Sequence, residues 1–249
     1  MKQLYCKFLN SISLWAVCYL IIPLCNISLF GDAPATTQPE RIIRFIESQP
    51  EMPIARVGGG VRSTGTKDIV FTVLAPERPG LTTQAQPTLY WYQSKPAKDM
   101  EFELTLNLGD ETLLEVRLNQ APHAGVMGLD LAALNISLEP DTSYEWVVAL
   151  VPDPDDPEQD IISSTFIQRI TLTDDLNVKL ERTRPADYPY TYAEAGIWYD
   201  ALKSIEQAIK AAPDNIRLKS DRLQLLEQVS LQNVVESEQN KLKNHKTLP

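Results

Sequence analysis

The sequence predicts an antiparallel β-sandwich of the immunoglobulin or fibronectin type III kind, followed by a small helical, repeat-like domain. Three observations carry that expectation. Between residues 69 and 172, runs of four to nine residues alternate apolar with polar side chains and are broken by turn residues, the mark of half-buried antiparallel strands. The stretch Leu138-Glu139-Pro140-Asp141-Thr142-Ser143-Tyr144 has the spacing of a tyrosine corner, in which a Tyr opening a late strand bonds its hydroxyl back to the preceding turn. Beyond Leu172 the apolar period changes from two to 3.6.

The chain divides accordingly into 1–35, a signal peptide or N-terminal membrane anchor; 36–68, a flexible linker; 69–172, the sandwich; 173–237, the helical domain; and 238–249, a disordered tail. Lys2 and Lys7 precede an apolar run from Phe8 to Phe30, and Ala33-Pro34-Ala35 offers a cleavage site, the layout of a secretory signal. The run approaches the ~20 residues that span a bilayer, so residues 8–30 are alternatively a retained membrane tether. All three cysteines, Cys6, Cys18 and Cys25, fall in this segment. The body therefore has no disulfide and no thiol nucleophile. Small residues do not precede Cys18 or Cys25, which argues against lipidation. The expected location is the periplasm, the cell envelope or the exterior, with an inner-membrane anchor as the variant.

In the linker, Pro39, Pro50, Pro53, Gly58-Gly59-Gly60 and Gly65 break regular structure, leaving a short helix-like piece around Arg41 to Glu47. The strands expected are Ile69–Ala75, Pro87–Gln93, a hairpin of Glu101–Leu108 and Leu114–Leu118 around Gly109-Asp110, Gly125–Leu131, Leu134–Leu138, Ser143–Val151 and Ile161–Leu172. Alternation in Leu89-Tyr90-Trp91-Tyr92 places Trp91 on the face opposite the two tyrosines, as the large indole of a sandwich core.

Thr173 with Asp174 and Asp175 reads as a cap and acidic first turn, opening a short helix that Pro185 ends. The strongest helical stripe is Trp198, Ala201, Leu202, Ile205, Ala208, Ile209 and Ala212. Pro213-Asp214 then closes one helix and caps the next, striped by Leu218, Leu225, Leu226 and Val229. Tyr192, Gly196, Ala201, Ile205, Ala208 and Pro213 resemble the packing positions of one tetratricopeptide repeat. One helical pair cannot bury both faces, so it is expected to lie on a third helix, on the sandwich or on another chain, the first two being intramolecular.

Gly58-Gly59-Gly60-Val61-Arg62, Pro79-Gly80-Leu81-Thr82, Gln86-Pro87-Thr88-Leu89-Tyr90-Trp91-Tyr92, Tyr144-Glu145-Trp146 and Tyr192-Ala193-Glu194-Ala195-Gly196-Ile197-Trp198-Tyr199-Asp200-Ala201-Leu202 follow one another in an order that resembles the domain of unknown function family 928 of envelope-bearing bacteria. The resemblance implies an envelope location and this two-part architecture, and it implies no activity. Relatives often carry a cysteine near the Val151-Pro152-Asp153 position; none stands here, so no family disulfide transfers.

A net charge of −10 disfavours nucleic acid and anionic lipid as partners. His123 in a turn and His245 in the tail are the only histidines, too few for a multi-histidine metal site, and no G-x-S-x-G elbow accompanies them. Asp153, Asp155, Asp156, Glu158 and Asp160 offer oxygen ligands of the kind calcium takes. Pro157 and Glu158 depart from the EF-hand pattern, and a solvated hairpin tip is the competing reading. The glycines from 58 to 65 lack the G-K-[ST] of a phosphate loop. The expectation is an exported, non-enzymatic protein without cofactor that binds a protein partner. Two alternatives are an enzyme or enzyme subunit working on envelope polymer through paired carboxylates, and an anchored structural part of a secretion or surface assembly.

Overall fold

Alternation becomes a sandwich here because alternating strands such as Glu101–Leu108 have one face to bury and two sheets meet over it. A computed structural model of the chain describes residues 41–49, 51–58, 61–62, 69–97, 100–118 and 123–246. The expected signal or anchor, the linker outside 41–49, 51–58 and 61–62, and the last three residues lie outside the described residues. Among the described residues ten strands form: β1 (Val57–Gly58), β2 (Val61–Arg62), β3 (Ile69–Val73), β4 (Gly80–Thr82), β5 (Thr88–Gln93), β6 (Glu101–Leu108), β7 (Glu111–Leu118), β8 (Gly125–Asp130), β9 (Ser143–Val151) and β10 (Ile161–Arg169). One sheet has the order β1-β10-β9-β6-β7, with β4 also pairing with β10, and the other β2-β3-β5-β8. The chain crosses between sheets from β5 to β6, from β7 to β8 and from β8 to β9, giving the Greek-key wiring of immunoglobulin-like sandwiches.

Inward-facing Phe102, Leu104 and Leu106 of β6 and Tyr144, Trp146, Val148 and Leu150 of β9 are buried. Trp91 stacks on Phe102 with ring centroids 4.8 Å apart. The tyrosine corner is formed: the Tyr144 hydroxyl accepts the Glu139 N–H at 2.9 Å.

Five helices follow: α1 (Asp174–Arg182), α2 (Tyr188–Glu194), α3 (Trp198–Ala211), α4 (Ile216–Glu227) and α5 (Gln232–Lys246). Thr173 caps α1 by accepting from the Leu176 N–H. The cap of α4 is Asn215, whose side chain accepts from Arg217 and Leu218, rather than Asp214. The helices do not stand apart as a second domain; the chain from Arg41 onward is one compact unit. They cover the outer side of the second sheet, so Tyr90 and Tyr92 are buried along with Trp91 and every residue of β5 is inside. The helical unit thus lies on its own sandwich.

Several expectations are corrected. Residues 41–49 and 51–58 act as a strap rather than a free linker, and Arg41–Glu47 is extended and not helical. Ile43 is buried, Phe45 sets its ring edge-on to Trp198 at 5.2 Å, and the Ile46 N–H donates to the Ala193 carbonyl at 3.1 Å. Arg56 then donates to the carbonyls of Ala75, Val229 and Ser230 at 2.6, 2.9 and 3.1 Å, tying sandwich and helices with one guanidinium. Gly196, at φ +73°, is where the strap passes; a Cβ there would stand 2.5 Å from the Ile46 carbonyl oxygen.

Leu134–Leu138 is no strand either. Residues Leu131–Leu134 make a 3₁₀ turn that Asn135 ends in the left-handed region at φ 56°, a conformation Asn tolerates. The expected tail from 238 onward continues α5 to Lys246, held by Glu238 and Lys241 as described below. Finally, the three-residue β4 leaves the first sheet segment to pair in parallel with β10, a strand too short for any periodicity to announce.

Candidate interaction surface

Buried charge is the first place to look for chemistry, since an ion taken from water needs partners. Asp200, in the first turn of α3 and 1% exposed, accepts from the Thr82 hydroxyl at 2.7 Å, the Thr83 N–H at 3.1 Å, the Thr83 hydroxyl at 2.7 Å and the Gln84 amide at 3.3 Å. Burial pushes its carboxyl above the usual range, against the pull of the Thr83 and Thr82 donors. Its oxygens are occupied by the 82–84 segment. Next to it, Tyr199 accepts the Trp146 indole N–H at 2.8 Å, and Trp198 donates to the Leu74 carbonyl at 2.8 Å.

A second group joins α3, α4 and α5 to β5. Arg222, 8% exposed, donates to Glu206 at 3.1 Å and to Glu238 at 2.7 Å. Glu238 also meets Lys241 at 3.2 Å, and the Tyr92 hydroxyl donates to Ser237 at 2.8 Å and Glu238 at 3.0 Å. Burial raises Glu206 above the ordinary carboxylate range, with Arg222 opposing and Glu238 reinforcing the rise. Asp221, also buried, takes the Tyr190 hydroxyl at 2.6 Å. These buried acids are paired or hydrogen-bonded inside the fold, and each links a helix to another element.

The acidic turn between β9 and β10 has the character of a self-capped tip. Asp153 accepts the Asp155 N–H at 3.0 Å, Asp156 accepts the Gln159 amide at 2.8 Å, and Pro157–Gln159 is a 3₁₀ turn. Among the described residues no group of three or more His, Cys, Asp or Glu side chains is arranged to hold a metal ion. The structure thus does not bring Asp153, Asp155, Asp156, Glu158 and Asp160 together as a calcium site. Asp160 points toward the sheet: its carboxyl is raised by burial, then by Glu103 and Asp156. His123 is exposed in its turn.

A cavity of about 310 Å³ opens where the chain leaves β10, lined by Ile170, Leu172, Leu176, Lys179, Glu194 and Ile197 among others. Its charged pair is closed on itself, Lys179 to Glu194 at 3.1 Å.

What remains is the outer face of the six-stranded sheet. Strand register places Arg117, Glu103, Ala149 and Ile162 in one row across β7, β6, β9 and β10, and Glu115, Thr105, Val147, Ser164 and Val57 in the next, continuing onto β1. A third row holds Asn107, Glu145 and Phe166. The face therefore has two halves. Toward β6 and β7 it carries Glu101, Glu103 and Glu115 around one cation, Arg117, which meets Glu103 at 3.4 Å and Glu115 at 2.7 Å. Toward β9, β10 and β1 it carries Val147, Phe166, Ile162 and Val57, with Glu145 beside Phe166; Ile162 is 49% and Val57 65% exposed. Sequence reading missed this face because its apolar members sit on the polar phase of their strands; Ile161-Ile162 and Val147-Val148, two apolar neighbours in alternating strands, were the available signal.

Among the described residues the fold and this surface define a two-sheet sandwich with a helical cover on one side and an open sheet face on the other. The chain belongs to the family described as Domain of Unknown Function (DUF928), whose model matches residues 57–239. No curated protein matches it. Among solved structures it is similar to the crystal structure of the rat CD45 extracellular region, domains d3-d4, at 11% identity and a TM-score of 0.21, over 65% of this chain and 86% of that one. Among the described residues no helix is long and apolar enough to cross a membrane.

Proposed function

We propose that this protein is an exported, non-enzymatic binding module that docks a protein partner on the open face of β10, β9, β6 and β7. The observation that supports the reading is the division of that face into an apolar half around Val147, Ile162 and Phe166 and an acidic half around Glu101, Glu103 and Glu115. The fitting partner presents an apolar patch flanked by lysine or arginine. Interfaces combine an apolar centre with a charged rim in this way, and complementary charge speeds the encounter and sets its register. The non-enzymatic part rests on the buried acids, which are engaged by Thr82, Thr83, Tyr190 and Arg222 in joining elements. Export rests on the N-terminal segment alone.

A photo-reactive residue at Ile162 tests it, with the same residue at Ile216, 67% exposed on α4, as control. On irradiation in cells, discrete cross-linked species from position 162 and none from 216 are expected. Cross-linking that is absent at 162, or equal at both positions, removes the support for this face.

A further inference from the structure

β7 ends its sheet, and among the described residues its outer edge has no neighbour. Such an edge presents a row of unpaired backbone donors and acceptors, a template for another strand. The pairing of β7 with β6 slips between Leu106 and Asn107, where Leu106 faces Leu114 and Asn107 faces Thr112. That bulge breaks the pleat before Leu114 and leaves Leu114–Leu118 as the regular stretch. Val116 is its centre. On the outer face Glu115 and Arg117 bracket Val116, 49% and 63% exposed and paired with each other at 2.7 Å within the chain, so a partner strand would extend that pair into a four-charge row. Leu114 and Val116 face inward, only partly buried at the rim of the core.

We propose that a second copy of this chain pairs antiparallel with β7 about a two-fold axis at Val116, continuing one sheet across two molecules. The register is argued from charge and from faces. A two-fold normal to the sheet keeps both outer faces on one side, and side chains opposite each other share a face only if the axis falls on a residue. At Val116 this sets Glu115 against the partner's Arg117, and Arg117 against the partner's Glu115, while Val116 meets its counterpart and covers the open side of the core rim. An axis at Glu115 or at Arg117 would put each of those charges against its own copy, which opposed like charges disfavour. A self-complementary patch of this kind is what an isologous dimer requires. Five paired residues make a small contact, so the dimer belongs to the weak class. The inference does not rest on the proposed partner face, which β9 and β10 leave open in the dimer.

The test uses the full chain with Val116→Cys, which places the two new thiols near the axis, within reach of a disulfide. Because the chain's own thiols, Cys6, Cys18 and Cys25, are N-terminal, the unaltered chain gives the background. Mild oxidation is expected to give a covalent dimer. Adding Glu115→Arg, or Arg117→Glu, opposes like charges twice and lowers dimer yield about tenfold, a change of about 1.4 kcal/mol. Co-expressing the two charge variants, tagged differently, restores a mixed dimer at the parent level. Both side chains are exposed, and an unchanged melting temperature shows the fold is kept. No cross-link above background, a cross-link indifferent to the charge reversals, or no recovery on mixing overturns the proposal.

Discussion

Replacing Asp200 by alanine separates a structural acid from a functional one. The carboxylate holds four donors: the Thr82 and Thr83 hydroxyls, the Thr83 N–H and the Gln84 amide. Two of these recover elsewhere, since Gln84 and the Thr83 hydroxyl are only part-buried and can turn to water. The Thr82 hydroxyl, 0% exposed, cannot, and the part-buried Thr83 N–H is held in place by the backbone rather than free to turn. A buried donor left without an acceptor costs about 1–3 kcal/mol, so two of them plus the small cavity set the loss at about 3–5 kcal/mol. Against a usual total of about 5–15 kcal/mol, that is a large fraction. Urea unfolding followed by circular dichroism measures it as a shift of midpoint at constant slope. Threonine 82 replaced by valine in both backgrounds completes a cycle, and the two changes together should cost less than their sum. A Asp200→Ala loss below about 1 kcal/mol, or strict additivity with Thr82→Val, would refute the account that this acid serves the fold.

Four other outcomes are expected. Because the Asp200 carboxyl is raised by burial, its contribution to stability is full below the unfolded value of about 4 and is lost as pH rises through its folded value; the stability advantage of wild type over Asp200→Asn should shrink from pH 4 upward in urea titrations. Gly80→Ala would bring a Cβ to 2.6 Å from the Tyr199 ring, forcing that side chain off its bond from Trp146 at a cost of about 1–3 kcal/mol, read by thermal melting. Arg222→Met leaves Glu206 and Glu238 buried without their shared cation; a loss of about 3–5 kcal/mol and faster amide exchange in α5 are expected. A chain stopped at Leu172 loses the cover over Tyr90 and Tyr92 and should be insoluble or bind hydrophobic dye.

How much of this was legible in the sequence depends on which faces a segment buries. β6 shows clean alternation because one side meets the core and the other meets water, and the tyrosine corner is local, reaching only from Tyr144 to Glu139. β5 was legible as a strand, but its second buried face was not, since the helices that cover it lie over a hundred residues further on. The strap was hidden for another reason. It is fastened by isolated side chains, Ile43, Phe45 and Arg56, at no fixed period, and its prolines and glycines are those of any linker. Likewise, the extension of α5 past residue 237 depends on Glu238 and Lys241 meeting Arg222 and Tyr92, contacts that only the fold creates. Of the candidate residues, the acidic turn was readable as a surface tip, whereas the role of Asp200 depends on Thr82, Thr83 and Gln84, more than a hundred residues earlier in the chain.

The central claim is that the open sheet face binds a protein partner. Affinity capture from an envelope extract should compare the wild-type chain with Ile162→Glu/Phe166→Glu and with Ile216→Glu, all three verified by melting. The account predicts one partner held by wild type and by the Ile216 variant and lost by the double variant. Equal retention by all three would contradict it.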